Sequence, residues 1–146
     1  MENTTTPIAG KVSSSAPTVP LAIKILLDGV IMYENAHITQ PTEFAFDVQD
    51  DEGQHELQFV MSGKTQQHTV VDDQGNITQD AMLSISDVCF DGIDITQIIT
   101  ENAVYVHDFN GTQAQTQDRF FGDMGCNGTV SLKFSTPFYL WLIENM

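Results

Sequence analysis

Short runs of alternating hydrophobic and polar residues fill most of the chain. Leu21, Ile23, Ile25 and Leu27 fall on one side of an extended segment and Ala22 and Lys24 on the other, the period of a strand. Asp28-Gly29 follows, a pair suited to a tight turn with positive φ at both central positions, and residues 30–34 return as a second strand. Phe44, Phe46 and Val48 alternate next, the polar run 50–53 turns the chain, and Leu57, Phe59 and Met61 alternate again. A short strand at 68–71, the DDQGN turn at 72–76 and a longer strand at 82–90 continue the meander. Asp91-Gly92 repeats the tight-turn signal before Ile93 and Ile95, and Ile98 and Ile99 sit in a short irregular or helical link. Residues 103–109 and the set Val130, Leu132 and Phe134 are the last alternating segments, separated by a long polar loop over 110–127. Roughly seven to nine strands with little helix predict an all-β fold: two packed antiparallel sheets, a β-sandwich of jelly-roll type.

The two ends break this rhythm. Residues 1–20, MENTTTPIAGKVSSSAPTVP, carry three prolines and few large apolar side chains, which predicts an extended arm outside a single domain over 21–146. At about 3.3 Å per residue such an arm reaches about 65 Å, enough to cross to a neighbouring molecule. At the other end Thr136-Pro137 reads as a helix start, followed by FYLWLIENM, with a terminal strand as the rival assignment. That run has no polar face and must be covered by its own sheet or by a partner. The residues expected to touch a neighbouring subunit are therefore Pro7, Ile8, Val12, Pro17 and Val19 of the arm, with Phe138, Tyr139, Trp141 and Ile143 of the C-terminal segment.

Charge narrows the partners. Twenty acidic residues against five basic ones give a formal net charge of −15, a field that repels phosphate backbones and anionic lipid. The expected partners are thus other protein subunits in an oligomeric assembly, or a glycan, and neither nucleic acid nor a membrane. The apolar stretch over 21–32 is interrupted by Lys24, Asp28 and Gly29, too short and polar for a membrane span. The first twenty residues lack a basic start followed by an apolar run, so synthesis is expected to end in the cytosol.

No catalytic constellation is legible. His37, His55, His68 and His107 never occur at metal-ligand spacing, and no phosphate loop or nucleophile elbow is present, so no enzyme is expected. Cys89 and Cys126 set up no disulfide framework. Calcium is the one cofactor the acidic turns suit, because hard cations want converging carboxylates; Asp87, Asp91 and Asp94 around the Asp91-Gly92 turn are the candidate ligands, the turn cluster Asp72, Asp73, Asn76 and Asp80 a second group. For a ligand face, Tyr105, His107, Asp108, Phe109 and Asn110 lead into the long loop and Arg119, Phe120 and Phe121 lie within it, with Tyr105, Asp108, Asn110, Arg119, Phe120 and Phe121 as the expected contacts. Rings beside amides and carboxylates suit a sugar, whose apolar face stacks while its hydroxyls are oriented by polar groups. The competing expectation is that Phe120 and Phe121 anchor the loop on the core.

The run LSISDVCFDGIDI, with the earlier LAIKILLDGV hairpin, is similar to the strand and turn texture of carbohydrate-binding β-sandwich modules, some of them calcium dependent. The acidic, Asn-, Gln- and Thr-rich composition with a Pro/Thr arm looks like that of small structural proteins of tailed bacteriophages. This second resemblance implies a capsid decoration or tail accessory protein located in the virion, its arm clasping one subunit while the β-domain sits on the next. Two functions follow as expectations: a docking component of an assembly and, as the alternative, a glycan-binding module.

Overall fold

The computed structural model describes residues 5–16, 18–64, 69–75, 77–108 and 114–145. Its chain order is β1 (Thr5–Ser14), β2 (Ala22–Leu27), β3 (Val30–Asn35), β4 (Thr42–Gln49), β5 (Gln54–Ser62), β6 (Thr69–Val71), β7 (Ile77–Asp80), β8 (Leu83–Phe90), β9 (Ile93–Asp94), α1 (Thr96–Asn102), β10 (Val104–His107), β11 (Thr116–Arg119), β12 (Asp123–Met124), β13 (Gly128–Ser135) and α2 (Phe138–Glu144). One sheet runs β12-β8-β1-β4, with β9 beside β8, and the other runs β11-β10-β13-β5-β2-β3; β6 and β7 form a separate ribbon. Every pairing is antiparallel. The result is an antiparallel, jelly-roll-like β-sandwich with a short C-terminal helix, the class that the alternation predicts.

The turns follow the local chemistry. Asp28 and Gly29 have φ of 53° and 82°, and Asp91 and Gly92 have 52° and 77°, as two-residue hairpin turns with positive φ at both positions require. Between the sheets, Phe44, Ile85 and Phe90 from one meet Ile25, Leu57, Phe59, Leu132 and Phe134 from the other. Burying each large side chain contributes about 1.5–3 kcal/mol, and this layer is the main source of stability.

The expected arm is corrected from Thr5 onward. Residues 5–14 form β1, an interior strand paired with β4 along Thr5 to Val12 and with β8 along Ile8 to Ser14. Its inward face is Ile8, Gly10 and Val12, and both Ile8 and Val12 are fully buried. The alternation is hidden because its middle member is a glycine. A Cβ on Gly10 would lie 2.5 Å from Cζ of Phe44, so the ring from β4 fills the space where β1 lacks a side chain. Pro7 is tolerated because the β8 ladder begins one residue later, at Ile8, leaving Pro7 with β4 as its ladder neighbour. Val19 packs partly buried against the core, and Pro17 lies outside the described residues.

The C-terminal segment is a helix, and the sandwich covers one side of it. Phe138 and Trp141 are buried, Trp141 being 6% exposed, and their rings lie 5.1 and 6.0 Å from that of Phe90. Ile8, Val12, Phe138 and Trp141 therefore belong to the chain's own core and not to an outer surface, because each completes a layer that already exists. Tyr139, Leu140 and Ile143 point outward. Pro137, and not Thr136, occupies the N-cap position, after a cis Thr136-Pro137 bond. The Thr136 hydroxyl is used elsewhere, donating to Asp51 Oδ1 at 3.1 Å and accepting from Gly53 N–H at 3.2 Å.

Candidate functional site

The long loop expected over 110–127 carries two further strands, and they create a cleft. Tyr105 and His107, two residues apart on β10, share one side of that strand; β11 pairs with β10 in the register Tyr105 to Asp118 and Val104 to Arg119. The chain then crosses to the other sheet, where Asp123 and Met124 of β12 pair with Ser84 and Leu83 of β8. The open cleft left at this crossing has a volume of about 530 Å³ and is lined by Tyr105, His107, Asp118, Arg119, Phe121 and Asp123, with Gly125 and Cys126 as its rim.

Each side chain is held differently. The Tyr105 hydroxyl accepts from Cys126 N–H at 2.9 Å and donates to the Cys126 carbonyl, so a nearly buried ring pins the rim from below. Burial pushes the Tyr105 phenol far above its ordinary value, which keeps it neutral and fit for both bonds. His107 packs its ring 4.7 Å from Tyr105 and places Nε2 2.7 Å from Asp118 Oδ2. Arg119 donates through Nε and an Nη to the Thr100 carbonyl of α1 at 3.3 and 3.2 Å, and its guanidinium lies 5.4 Å from the centre of the Phe121 ring. Asp123 Oδ1 accepts from the Ser84 hydroxyl.

Beneath the rim, Lys64 is 5% exposed and donates from Nζ to the Gly125 carbonyl. Asn127 closes the arrangement by accepting from Lys64 N–H at 3.0 Å and donating to the Lys64 carbonyl at 2.7 Å. The rim is thus fixed at Gly125, Cys126 and Asn127 before any ligand arrives, which lowers the ordering cost of binding.

Of the expected ligand face, Tyr105, Arg119 and Phe121 line this cleft. Phe120 does not: it is 1% exposed and meets Tyr105 edge-on at 6.3 Å, so it anchors the loop, while Phe121 is 69% exposed. Asp108 is half-buried and does not line the cleft, and Asn110 lies outside the described residues. His107 lines the cleft with Tyr105, Arg119 and Phe121, and Phe109, like Asn110, lies outside the described residues. Asp118, Asp123 and the rim were not legible as ligand-facing from the sequence, because they needed the hairpin register and the crossing between sheets.

The aspartates expected to hold calcium do not converge. Asp91 accepts the Tyr139 hydroxyl, which raises the Tyr139 pKa, and Asp94 is lowered chiefly by its hydrogen bond with the Thr96 side chain and further by Thr96 N–H, which donates to it at 2.8 Å. Asp87 sits at a positive-φ position of β8, and burial together with the Asp94 and Asp87 charges raises the Cys89 thiol. Among the described residues no three His, Cys, Asp or Glu side chains are grouped to hold a metal ion. Asp87, Asp91 and Asp94 thus do not form a calcium site together, because they are not grouped and Asp91 and Asp94 are engaged in separate local contacts; Asn76 of the second acidic turn lies outside the described residues.

A different histidine forms the tightest polar node. His55, 8% exposed, places Nδ1 2.6 Å from Asp28 Oδ2 and Nε2 2.8 Å from Asp51 Oδ1, and stacks 5.4 Å from Phe134. Burial alone would lower its pKa, but the hydrogen bonds to Asp28 and Asp51, aided by their charges, leave it raised. Asp51 is lowered, chiefly by its hydrogen bond with His55 and against the effect of burial. The clasp joins the β2–β3 turn, the β4–β5 turn and the start of α2, with the His55 ring buried between them.

No family model and no curated protein sequence matches the chain. Two solved structures are similar to it in fold. One is "vCBM60 in complex with galactobiose", with a TM-score of 0.50 and 10% identity, covering 86% of this chain and 96% of that one. The other is a selenomethionine form of vCBM60, described with the words "Circular permutation provides an evolutionary link between two families of calcium-dependent carbohydrate binding modules", with a TM-score of 0.51 and 10% identity over 87% of this chain and 89% of that one. At this identity the likeness establishes that the chain has the all-β sandwich architecture of a carbohydrate-binding module.

Proposed function

We propose that the chain is a non-catalytic carbohydrate-binding module and that the cleft beside Phe121 is its sugar site. The observation that carries this reading is the juxtaposition of an exposed ring with the two exposed carboxylates of Asp118 and Asp123 over a pre-fixed rim. A pyranose stacked on Phe121 would donate its hydroxyls to these carboxylates, the division of labour that makes aromatic and acidic residues effective together. The fold shared with vCBM60, a protein described in complex with galactobiose, supports the same assignment. No calcium is placed in this reading, because the three aspartates do not converge. A glycan array followed by calorimetry with galactobiose tests it: binding that is lost in Phe121→Ala and unaffected by chelator is expected, and no binding to any glycan on the array overturns it.

A second reading, a docking component of a larger assembly such as a virion, is favoured by one observation. Tyr139, Leu140 and Ile143 on the outer side of α2 are exposed, as are Val30, Ile31 and Met32 on the edge strand β3. The N-terminal segment does not add to it, since residues 5–14 are an interior strand. Mass photometry of the isolated chain tests it: a monomer at all concentrations, unchanged by Leu140→Asp, removes self-assembly as a role for these surfaces.

A further inference from the structure

We propose that the cleft selects sugars carrying a protonated amine, of the glucosamine type, over neutral and acidic sugars; this rests on the glycan-binding reading above. The inference comes from which polar atoms the cleft leaves for a ligand. Asp118 spends Oδ2 on His107 and Asp123 spends Oδ1 on Ser84. Both side chains are exposed, so Asp118 Oδ1 and Asp123 Oδ2 face solvent as charged acceptors.

The cations nearby are already committed. Arg119 gives Nε and one Nη to the Thr100 carbonyl and lies along the Phe121 ring, and Lys64 is buried beneath the rim with Nζ on the Gly125 carbonyl. A ligand carboxylate would have to draw Arg119 away from Thr100 and approach two carboxylates. A ligand ammonium meets acceptors that need no rearrangement, and charge-assisted bonds of this kind are about twice as strong as neutral ones. The net charge of −15 adds a long-range field of the same sign, concentrating cations near the surface and excluding anions. The ring supplies the second half of the selection. Phe121, mostly in solvent, offers apolar area to a pyranose that a simple amine lacks.

The experiment is calorimetry on the full chain with five probes: the disaccharide of glucosamine at mildly acidic pH, its di-N-acetylated counterpart, galactobiose, digalacturonate and an aliphatic diamine. The glucosamine disaccharide is expected to bind roughly ten-fold tighter than the N-acetylated one, with the diamine and digalacturonate weakest. In Asp118→Asn and, separately, Asp123→Asn, each checked for folding by circular dichroism, the ratio should fall toward about one. Asp123→Asn keeps the test valid if loss of the His107 partner disturbs the fold of the other variant. A control, Asp47→Asn with Glu43→Gln on the exposed side of β4, should keep the preference if the cleft and not the overall charge is responsible.

Equal affinity for the amine and its acetamide overturns the inference, as do preference for digalacturonate, equal binding of the diamine, or a preference that survives both cleft substitutions. In these cases binding of galactobiose shows that the glycan reading stands. Absence of binding to all three glycans without a carboxylate overturns the glycan reading itself and the inference with it.

Discussion

His55 and His107 are buried to the same degree, 8% exposed each, and both sit beside aspartate, but they occupy opposite kinds of site. His55 is enclosed between Asp28 and Asp51, with Phe134 against its ring, and both of its ring nitrogens are engaged by carboxylates whose outer sides stay in solvent. His107 places Nε2 on the Asp118 carboxylate at the wall of an open cleft where Asp123 and Phe121 also reach solvent. The clasp ties two turns together, whereas the cleft wall leaves Asp118 and Asp123 bordering open space. A histidine–aspartate contact therefore has two settings in this chain, and what separates them is whether two turns meet on the ring or two strands border a gap beside it.

The comparison breaks most decisively at His55. His55→Ala removes the imidazole that satisfies two carboxylates and packs on Phe134, and should cost about 2 kcal/mol in chemical denaturation, reduced from the value of a fully buried pair because Asp28 and Asp51 are half-exposed. Glycan affinity in the same variant should be unchanged while it remains folded. If affinity falls in parallel with stability, the two sites are not independent.

The pH dependence of stability sharpens the same point. His55 has a folded pKa raised above its ordinary 6.5, so its contribution is complete below about 6.5 and is lost as pH rises through the folded value. Asp51 is lowered below 3.8, so its contribution is present above about 3.8 and is lost as pH falls through its folded value. Melting temperature should therefore be highest between these limits, and His55→Ala should remove the decline on the alkaline side. A decline that persists in the variant assigns it to other groups.

Smaller effects lie in the cleft. Tyr105→Phe deletes the hydroxyl that joins both backbone groups of Cys126, at a cost of about 1 kcal/mol in stability and several-fold in glycan affinity, because the rim is then ordered only on binding. Phe121→Ala, at an exposed position, should change stability by no more than about 0.5 kcal/mol yet lower glycan affinity at least roughly ten-fold. Equal effects of these two substitutions on affinity and stability would make the cleft a structural surface like the clasp.

Much of the fold was legible because it is written in local rules. Alternation located β2 to β5, β8, β10 and β13, and two Asp-Gly pairs, at residues 28–29 and 91–92, fixed the tight turns through positive φ. Tyr105, Arg119 and Phe121 were legible as a face because rings and charges crowd one short stretch. Phe120 and Phe121 could not be told apart by composition, since adjacent residues on an extended chain point to opposite sides and the choice depends on where the core lies.

By itself, the sequence determined the period of the elements, the turn chemistry, the sandwich class and the acidic field, all of which depend on neighbours along the chain. Only the tertiary structure decided that Ile8-Gly10-Val12 is an interior strand, because the ring filling the gap at Gly10 comes from Phe44 in another strand. It likewise decided that Trp141 is enclosed, that Asp87, Asp91 and Asp94 part company, and that Asp118 and Asp123 come to one cleft. Each of these depends on register and on which segment crosses between sheets, quantities set by the packing of the whole core and invisible to any local window.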